Sequence, residues 1–546
     1  MGQMKGQWRK EFSVVLVAAL ILGLLSAMGQ AAAKPAFGGT LRIGTLSDPD
    51  TLNVLQSNSV SASWILDLMY PTLLIMNEQG EKVPYLAKDW GYSEDGLTAW
   101  FELRNDVKWQ DGTPITSKDV KFTCDVTKQH KIGFNAALLA DVKEIRTPTP
   151  TRVEFKLSKT YGPFLTSIGF WLRVVPEHIW KGIEDPKRFP NSNPVGAGPF
   201  KLAKYEIGQY YEMEAVDSWF DAPAGKPYLD KVLFKVYPDI NTMILALQRG
   251  EIDLCANPIP PASADRLKAT PGIKTAQTAS LGYVYFTFNQ HRDKAKALQD
   301  VRLRKAIAHA VNKEMIRAIV LRGQAKDIAV AVSPVLGSWH NPNVTSYPYD
   351  PEKAKTILQE AGYKDTNGDG VRETPTGEKL AFELLYDGGN ANIAKAMKMV
   401  ADDLQKVGIV VTHNALERNG YLAAFRKLDY DIAAGGWGIM DEPADYLYLL
   451  YHSSTYGPDG INRSGINDPQ LDRLIDQARG ALDAKKAREY VWKIQERLKE
   501  LVPEVHLWVE TYILAYRDDF AGYGVFPSDL RGMVDPQSLV RVYKIK

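Results

Sequence analysis

The chain has 546 residues, with 66 Lys plus Arg against 65 Asp plus Glu, eight His and two Cys. A chain of that length exceeds a single hydrophobic core and is expected to split into two or three lobes. The balanced charge, with no basic block, argues against nucleic acid or an anionic membrane surface as a partner, and two Cys are too few for a disulfide framework.

The first segment carries Lys5, Arg9 and Lys10, then an apolar run over 12–25, then small residues up to Ala33. A basic start, an apolar run shorter than the ~20 residues of a membrane span, and a small-residue cleavage site predict a Sec signal peptide over 1–33, cut after Ala33. No Cys stands nearby for lipid attachment, so a soluble periplasmic protein is expected.

A first strand is predicted over 40–44, then a loop over 45–59 and a helix over 60–69. Residues 90–126 read WGYSEDGLTAWFELRNDVKWQDGTPITSKDVKFTCDV. Asp95-Gly96 and Asp111-Gly112 set hairpin turns between apolar runs, and Thr116 to Asp119 opens a capped helix. Residues 193–254 give a Gly-Pro turn, short strands, a Gly/Pro-rich loop with an exposed aromatic pair Trp219-Phe220, a further strand, a helix over 241–248 and a strand over 252–254.

From 301 a 3.6-residue apolar period predicts one helix reaching 320. Asp350-Pro351 caps a helix that Gly362 closes. A strand over 380–386, a helix stopped at Gly408 and a strand over 409–412 make a βαβ unit, hence a parallel sheet covered by helices. Two apolar stripes, one through Leu471, Ile475 and Ala478 and one through Val491, Ile494 and Leu498, predict a helical pair. Residues 504–516 alternate as strand. Cys124 and Cys255 leave two options, a disulfide or two buried thiols.

No catalytic residue is assigned. The His residues form no HExxH and no Cys/His cluster, no GxSxG elbow occurs, and the glycines around Trp437 lack the Lys-Ser/Thr of a phosphate loop. Asp365, Asn367 and Asp369, followed by Gly370, match the start of a calcium loop, but its twelfth position is Thr376 where a bidentate Glu is needed. A structural calcium and a ligand-free Asx turn are the two readings. Around Trp437 a strand emerges into an exposed turn, where the missing side chains of Gly435, Gly436 and Gly438 let a ligand backbone approach closely.

Residues 90–126 and 193–254 resemble the family 5 extracellular solute-binding proteins of ABC importers, and 431–443 resembles that family's cleft loop. The resemblance spans the mature chain and implies an α/β, two-lobed periplasmic binding protein fold. Lobe one would take 37–286, with an extra subdomain at about 76–195, and lobe two 287–505. Residues 506–546 would return to lobe one, leaving a two-strand hinge and a ligand cleft between the lobes. It further implies a monomer without a required cofactor, which captures a di- or oligopeptide and passes it to the membrane permease. An oligosaccharide receptor of the same family is the alternative, since Trp437 suits stacking on sugars. A nickel-chelate receptor has no His near Trp437 in its favour, and a secreted hydrolase is the alternative from another class.

In the family, the Asp of the cleft loop pairs with the α-ammonium of a bound peptide and usually lies three residues after the Trp. Here Met440 holds that place and Asp441 follows it. The substrate-binding candidates are Gly436, Trp437, Gly438 and Asp441 on lobe two, opposite Ser47 and Asp48 from the loop after the first strand. Tyr161 and Trp339 are weaker ones.

Overall fold

The computed structural model describes residues 35–57, 59–457, 460–526 and 531–545, so the expected signal peptide lies outside the described residues. Twelve strands form one mixed sheet, centred on a single 14-residue strand, Glu504–Arg517. The start of that strand pairs antiparallel with Tyr283–Phe288, placing Tyr285 opposite His506. Its end pairs with Ile273–Ala279, placing Thr275 opposite Ala515.

Outward from Tyr283–Phe288 lie Ile432–Trp437, Ala381–Asp387 and Val410–Leu416. The last two are parallel, as a βαβ unit requires, and the helix between them is Ala391–Gln405. On the other side of the long strand come Leu254–Cys255, Thr40–Thr45, Lys231–Val236, Tyr210–Ala215 and Phe200–Glu206. Two half-sheets are therefore joined by the long strand and by the link Ser280 to Gly282 that runs beside it. Ala279 stands opposite Thr511 and Val284 opposite Trp508, so the link side carries two more residues than the strand it follows. Extra residues of this kind bend a strand and raise its twist.

Each half-sheet has its own apolar core. Leu41, Leu66, Phe101, Phe155 and Phe234 belong to one, Phe286, Leu303, Leu384, Val400 and Val505 to the other. Each fully buried side chain of this size stabilises its core by about 1.5–3 kcal/mol. A third cluster brings Met76 and Phe170 against Tyr283, Leu447, Val491 and Val509, so apolar packing also crosses between the two sides. A separate four-stranded antiparallel sheet, Ala87–Tyr92, Thr98–Leu103, Arg152–Leu157 and Val142–Thr149 in spatial order, builds the extra segment.

Local chemistry sets most helix starts. Ser59 accepts from the Ala62 amide ahead of Val60–Met69, and Thr116 with Asp119 closes a capping box ahead of Ser117–Gln129. Asp350 and Asp468 cap Pro351–Glu360 and Pro469–Gly480 in the same way, with Pro at the first turn. Such caps contribute about 1 kcal/mol each. No helix among the described residues is long and apolar enough to cross a membrane.

Two sequence expectations fail. The helix expected over 301–320 is two helices, Val301–Ala310 and Lys313–Val320. Asn312 starts the second by accepting from the Met315 amide, while its own amide donates to Asp403 at 2.9 Å. Trp219 is not exposed: 4% of it reaches solvent, and its ring packs on Tyr85 at 5.9 Å. Phe220 lies under the Arg104 guanidinium at 4.3 Å. Of the two options for the cysteines, the structure has two buried free thiols, and burial pushes the Cys255 thiol up to about 12.

Candidate functional site

A cavity of about 420 Å³ opens between the two sides of the molecule. One wall comes from Val54, Leu55 and Ser57, past the first strand. A second comes from Thr127, Asn135, Trp171 and Arg173, and a third from Ile439 and Asp441. The volume lies within the 300–1,000 Å³ of ordinary small-molecule sites.

The Trp437 turn explains how Asp441 reaches this cavity. Trp437 ends its strand opposite Tyr283, and its half-buried ring packs into the third cluster. Met440, in the place where the family's Asp usually stands, is 8% exposed and packs into that cluster. The next residue, Asp441, then faces the cavity. The glycines serve different neighbours. A Cβ at Gly435 would lie 2.8 Å from the Tyr285 ring, so this glycine makes room for the protein's own side chain. Gly436 and Gly438 are exposed, and a Cβ at Gly438 would meet nothing within 4 Å.

Asp441 does not stand alone. Lys82, from the short strand Lys82–Pro84 on the opposite side, places its Nζ 2.9 Å from Asp441 Oδ2, an ion pair whose angle falls short of a hydrogen bond. The same amino group donates to Glu442 Oε2 at 3.1 Å, and Thr166 Oγ1 donates to that oxygen at 2.6 Å. Burial opposes the charge on Lys82, yet Asp441 and Glu442 hold its pKa above the ordinary value. Burial pushes the Glu442 carboxyl up in spite of Lys82. Glu442 and Thr166 line a second cavity of about 450 Å³ with Trp90, Tyr92, Trp339 and Leu482. The Lys82 amino group thus touches one carboxylate from each cavity.

Arg173 supplies the other charge on the first cavity's wall. Its Nε donates to Asp67 Oδ1 at 2.5 Å and its Nη2 to Ser63 Oγ at 3.0 Å. Arg531 donates to Asp67 Oδ2 at 3.0 Å, so two guanidiniums share one carboxylate. Burial raises the Asp67 pKa, and the two arginines more than reverse it, leaving the carboxyl below its usual range. Polar capacity also remains unspent here. Thr127 Oγ1 and Asn135 Oδ1, both on the wall, are buried without a hydrogen-bond partner in the protein.

Ser47 and Asp48 do not line the cavity. Ser47 is exposed, and Asp48 Oδ1 accepts from the Gly208 amide at 2.8 Å and the Tyr211 hydroxyl at 3.0 Å. Asp48 therefore pins the hairpin of Phe200–Glu206 and Tyr210–Ala215, and the cleft wall is made by residues further along the same loop. Tyr161 is a cross-cleft contact, donating to Asp445, and Trp339 lines the second cavity. Lys82, Arg173, Thr127 and Asn135 had no local sequence signal, because each gains its role only from partners distant in the chain.

At the acidic loop, Asp365 accepts from the Gly368 and Gly370 amides at 2.7 and 2.9 Å, and Asn367 accepts from the Asp369 amide at 2.9 Å. Glu373, rather than Thr376, brings the third carboxylate within 4.8 Å of Asp365 and Asp369. Lys379 pairs with Asp369 and puts a competing positive charge on the cluster. Backbone amides engage Asp365 and Asn367, and Lys379 engages Asp369.

A family model for bacterial extracellular solute-binding proteins, family 5 (middle) matches residues 81–458. The oligopeptide-binding protein AppA of Bacillus subtilis is 28% identical over 94% of this chain and 95% of its own. The dipeptide-binding protein of Escherichia coli is 27% identical over 82% and 84%. AppA solved with a nonapeptide superposes with a TM-score of 0.69 at 27% identity, covering 94% of this chain and 100% of that one. NikA of Brucella suis, solved with Fe(III)-EDTA, gives 0.76 at 26% identity over 91% and 99%. With two half-sheets on a shared long strand, a cavity between them and a family match over most of its length, the chain belongs to the bacterial extracellular solute-binding proteins of family 5.

Proposed function

We propose that the protein is the periplasmic substrate-binding component of an ABC importer and that it encloses a di- or oligopeptide in the cavity beside Asp441. The observation that carries this is the wall itself. Thr127 and Asn135 hold unspent hydrogen-bonding capacity in a cavity of about 420 Å³ that is also lined by apolar Val54, Leu55, Trp171 and Ile439. An acceptor such as Asn135 Oδ1 suits the amide N–H groups of an extended peptide, while apolar walls tolerate varied side chains. The peptide-binding names of AppA and of the Escherichia coli relative support the same class.

In this reading lobe one takes about 37–286 with 506–546 and lobe two about 287–505, each boundary falling within a few residues of the crossing between half-sheets. The link Ser280 to Gly282 and the middle of Glu504–Arg517 then serve as the hinge. The closed form is handed as a monomer to the permease, and ATP is hydrolysed on other subunits. The protein's work is capture and release, not turnover. A calcium ion at Asp365, Asn367 and Asp369 would be structural, since none of them lines the cavity; elemental analysis of dialysed protein decides it.

Native mass spectrometry of protein purified without ligand removal tests the assignment. A spread of peptide masses is expected. A single oligosaccharide mass, or a melting temperature raised by cello- or xylo-oligosaccharides and not by peptides, would replace it with the sugar-receptor reading.

A further inference from the structure

The ion cluster across the cleft goes beyond what enclosing a peptide requires. A free carboxylate at the cavity wall would hold a peptide's ammonium end by a charge-assisted hydrogen bond. Here that carboxylate is already engaged from inside the protein. The side chains of Lys82, Asp441 and Glu442 are 7%, 9% and 13% exposed, so little water screens them. The Phe170 ring lies 5.4 Å from the Lys82 amino group, and the Arg531 guanidinium lies 4.8 Å from the same ring. Among the described residues, Arg173 is the only other charged one on the wall, and the carboxylate it uses is shared with Arg531.

A ligand ammonium approaching Asp441 Oδ2 would compete with the Lys82 amino group, which already lies 2.9 Å from it. A tethered amino group competes at a high effective concentration, on the order of millimolar or above. Its displacement from Asp441 would leave a buried cation beside Phe170 with one carboxylate, Glu442, where two now hold it, and an under-compensated buried charge is unfavourable.

We propose that Lys82 is a specificity-determining residue, an internal cation that occupies the Asp441–Glu442 pair and makes the cavity accept peptides without reading an N-terminal ammonium. This rests on the peptide reading of the same site. Lys82 thereby joins the two sides of the cleft through charges that a free-amine ligand would otherwise complete. N-blocked and free-amine peptides are then equivalent at this end of the cavity.

The test is a competition read by native mass spectrometry, with equimolar random pools of di- to pentapeptides, one with free amines and one N-acetylated. Wild-type protein is expected to retain acetylated peptides at least as well as free ones. Lys82→Met, which frees Asp441, is expected to move the ratio toward free amines by about tenfold. Lys82→Arg, which keeps the charge, is expected to restore the wild-type ratio. A wild-type preference for free amines, an unmoved ratio in Lys82→Met, or a Lys82→Arg ratio resembling Lys82→Met overturns the inference and leaves peptide binding standing. Retention of neither pool overturns both. If Lys82→Met does not fold, the wild-type ratio decides alone.

Discussion

The Tyr161 hydroxyl donates to Asp445 Oδ2 at 2.7 Å and so ties the extra segment to the far side of the cleft. Arg479 Nε donates to Asp445 Oδ1 at 3.1 Å, and its guanidinium lies 4.8 Å from the Tyr161 ring and 4.3 Å from the Tyr448 ring. Burial raises the Tyr161 phenol well above its ordinary range, and Asp445 adds to the shift, so it stays protonated and donating. Tyr161→Phe removes one cross-cleft hydrogen bond of about 1 kcal/mol. Because that bond spans the cleft that hinge closure would narrow, peptide affinity should fall about fivefold by calorimetry. An unchanged affinity would show that this contact does not bias closure.

Gly162 sits one residue further on, where backbone meets backbone. Its amide donates to the Arg479 carbonyl at 2.8 Å, and a Cβ there would lie 2.1 Å from the Ala481 carbonyl oxygen. Neither atom belongs to a side chain that can swing away. Gly162→Ala should therefore hold the two sides apart. Small-angle scattering should show the wild type contracting with a peptide pool and the variant failing to contract. The ligand-dependent rise in melting temperature should drop by about half or more.

Glu504 and His506 open the long strand side by side and are both buried, with Nε2 of His506 3.5 Å from Glu504 Oε2. Burial pushes Glu504 up from 4.5 to about 8 and His506 down from 6.5 to about 3, so at pH 7 this is a contact between neutral groups. The raised Glu504 value gives a contribution to stability that is full below pH 4.5 and is lost as pH rises through 8. The lowered His506 value gives one that is full above pH 6.5 and is lost as pH falls through 3. Glu504→Gln keeps an acceptor for the Tyr451 hydroxyl, which donates to Glu504 at 2.7 Å, and removes the alkaline loss. At pH 8 the variant should be more stable by about 2–4 kcal/mol in urea unfolding, with a flatter slope between pH 6 and 9. A parallel loss in both proteins would rule out Glu504 as its source.

Asp67 is shared by two arginines while 5% exposed. Asp67→Asn keeps the shape and leaves Arg173 and Arg531 without their shared charge. The cost should be about 3 kcal/mol in urea unfolding at pH 7. Since the Asp67 carboxyl is held below its usual range, the wild-type advantage should fade as pH drops through that folded value, and the two proteins should converge in acid.

What the sequence could express was whatever is settled within a turn or two of chain. Val60–Met69, the Thr116 capping box and the Asp350-Pro351 start were legible because the residues that form them also cap them. The break at Val311 was not, because the Asn312 amide donates to Asp403, which lies on another helix. Trp219 looked exposed beside its Gly/Pro-rich neighbours, yet Tyr85, far earlier in the chain, covers it. The site divides the same way. The Trp437 turn and Asp441 announced themselves through local pattern, whereas Lys82 and Arg173 are a lysine and an arginine without context until the fold supplies their partners.

The strand Glu504–Arg517 also governs when this protein can fold. It lies in the last tenth of the sequence and supplies hydrogen bonds to strands on both sides of the hinge. Neither half-sheet gains its shared partner strand until those residues are available, however early the rest has been synthesised. Such distant pairing makes folding slow, because loop closure precedes any reward from the contacts. A chain that completes its sheet last stays threadable longest, whichever half-sheet is made first.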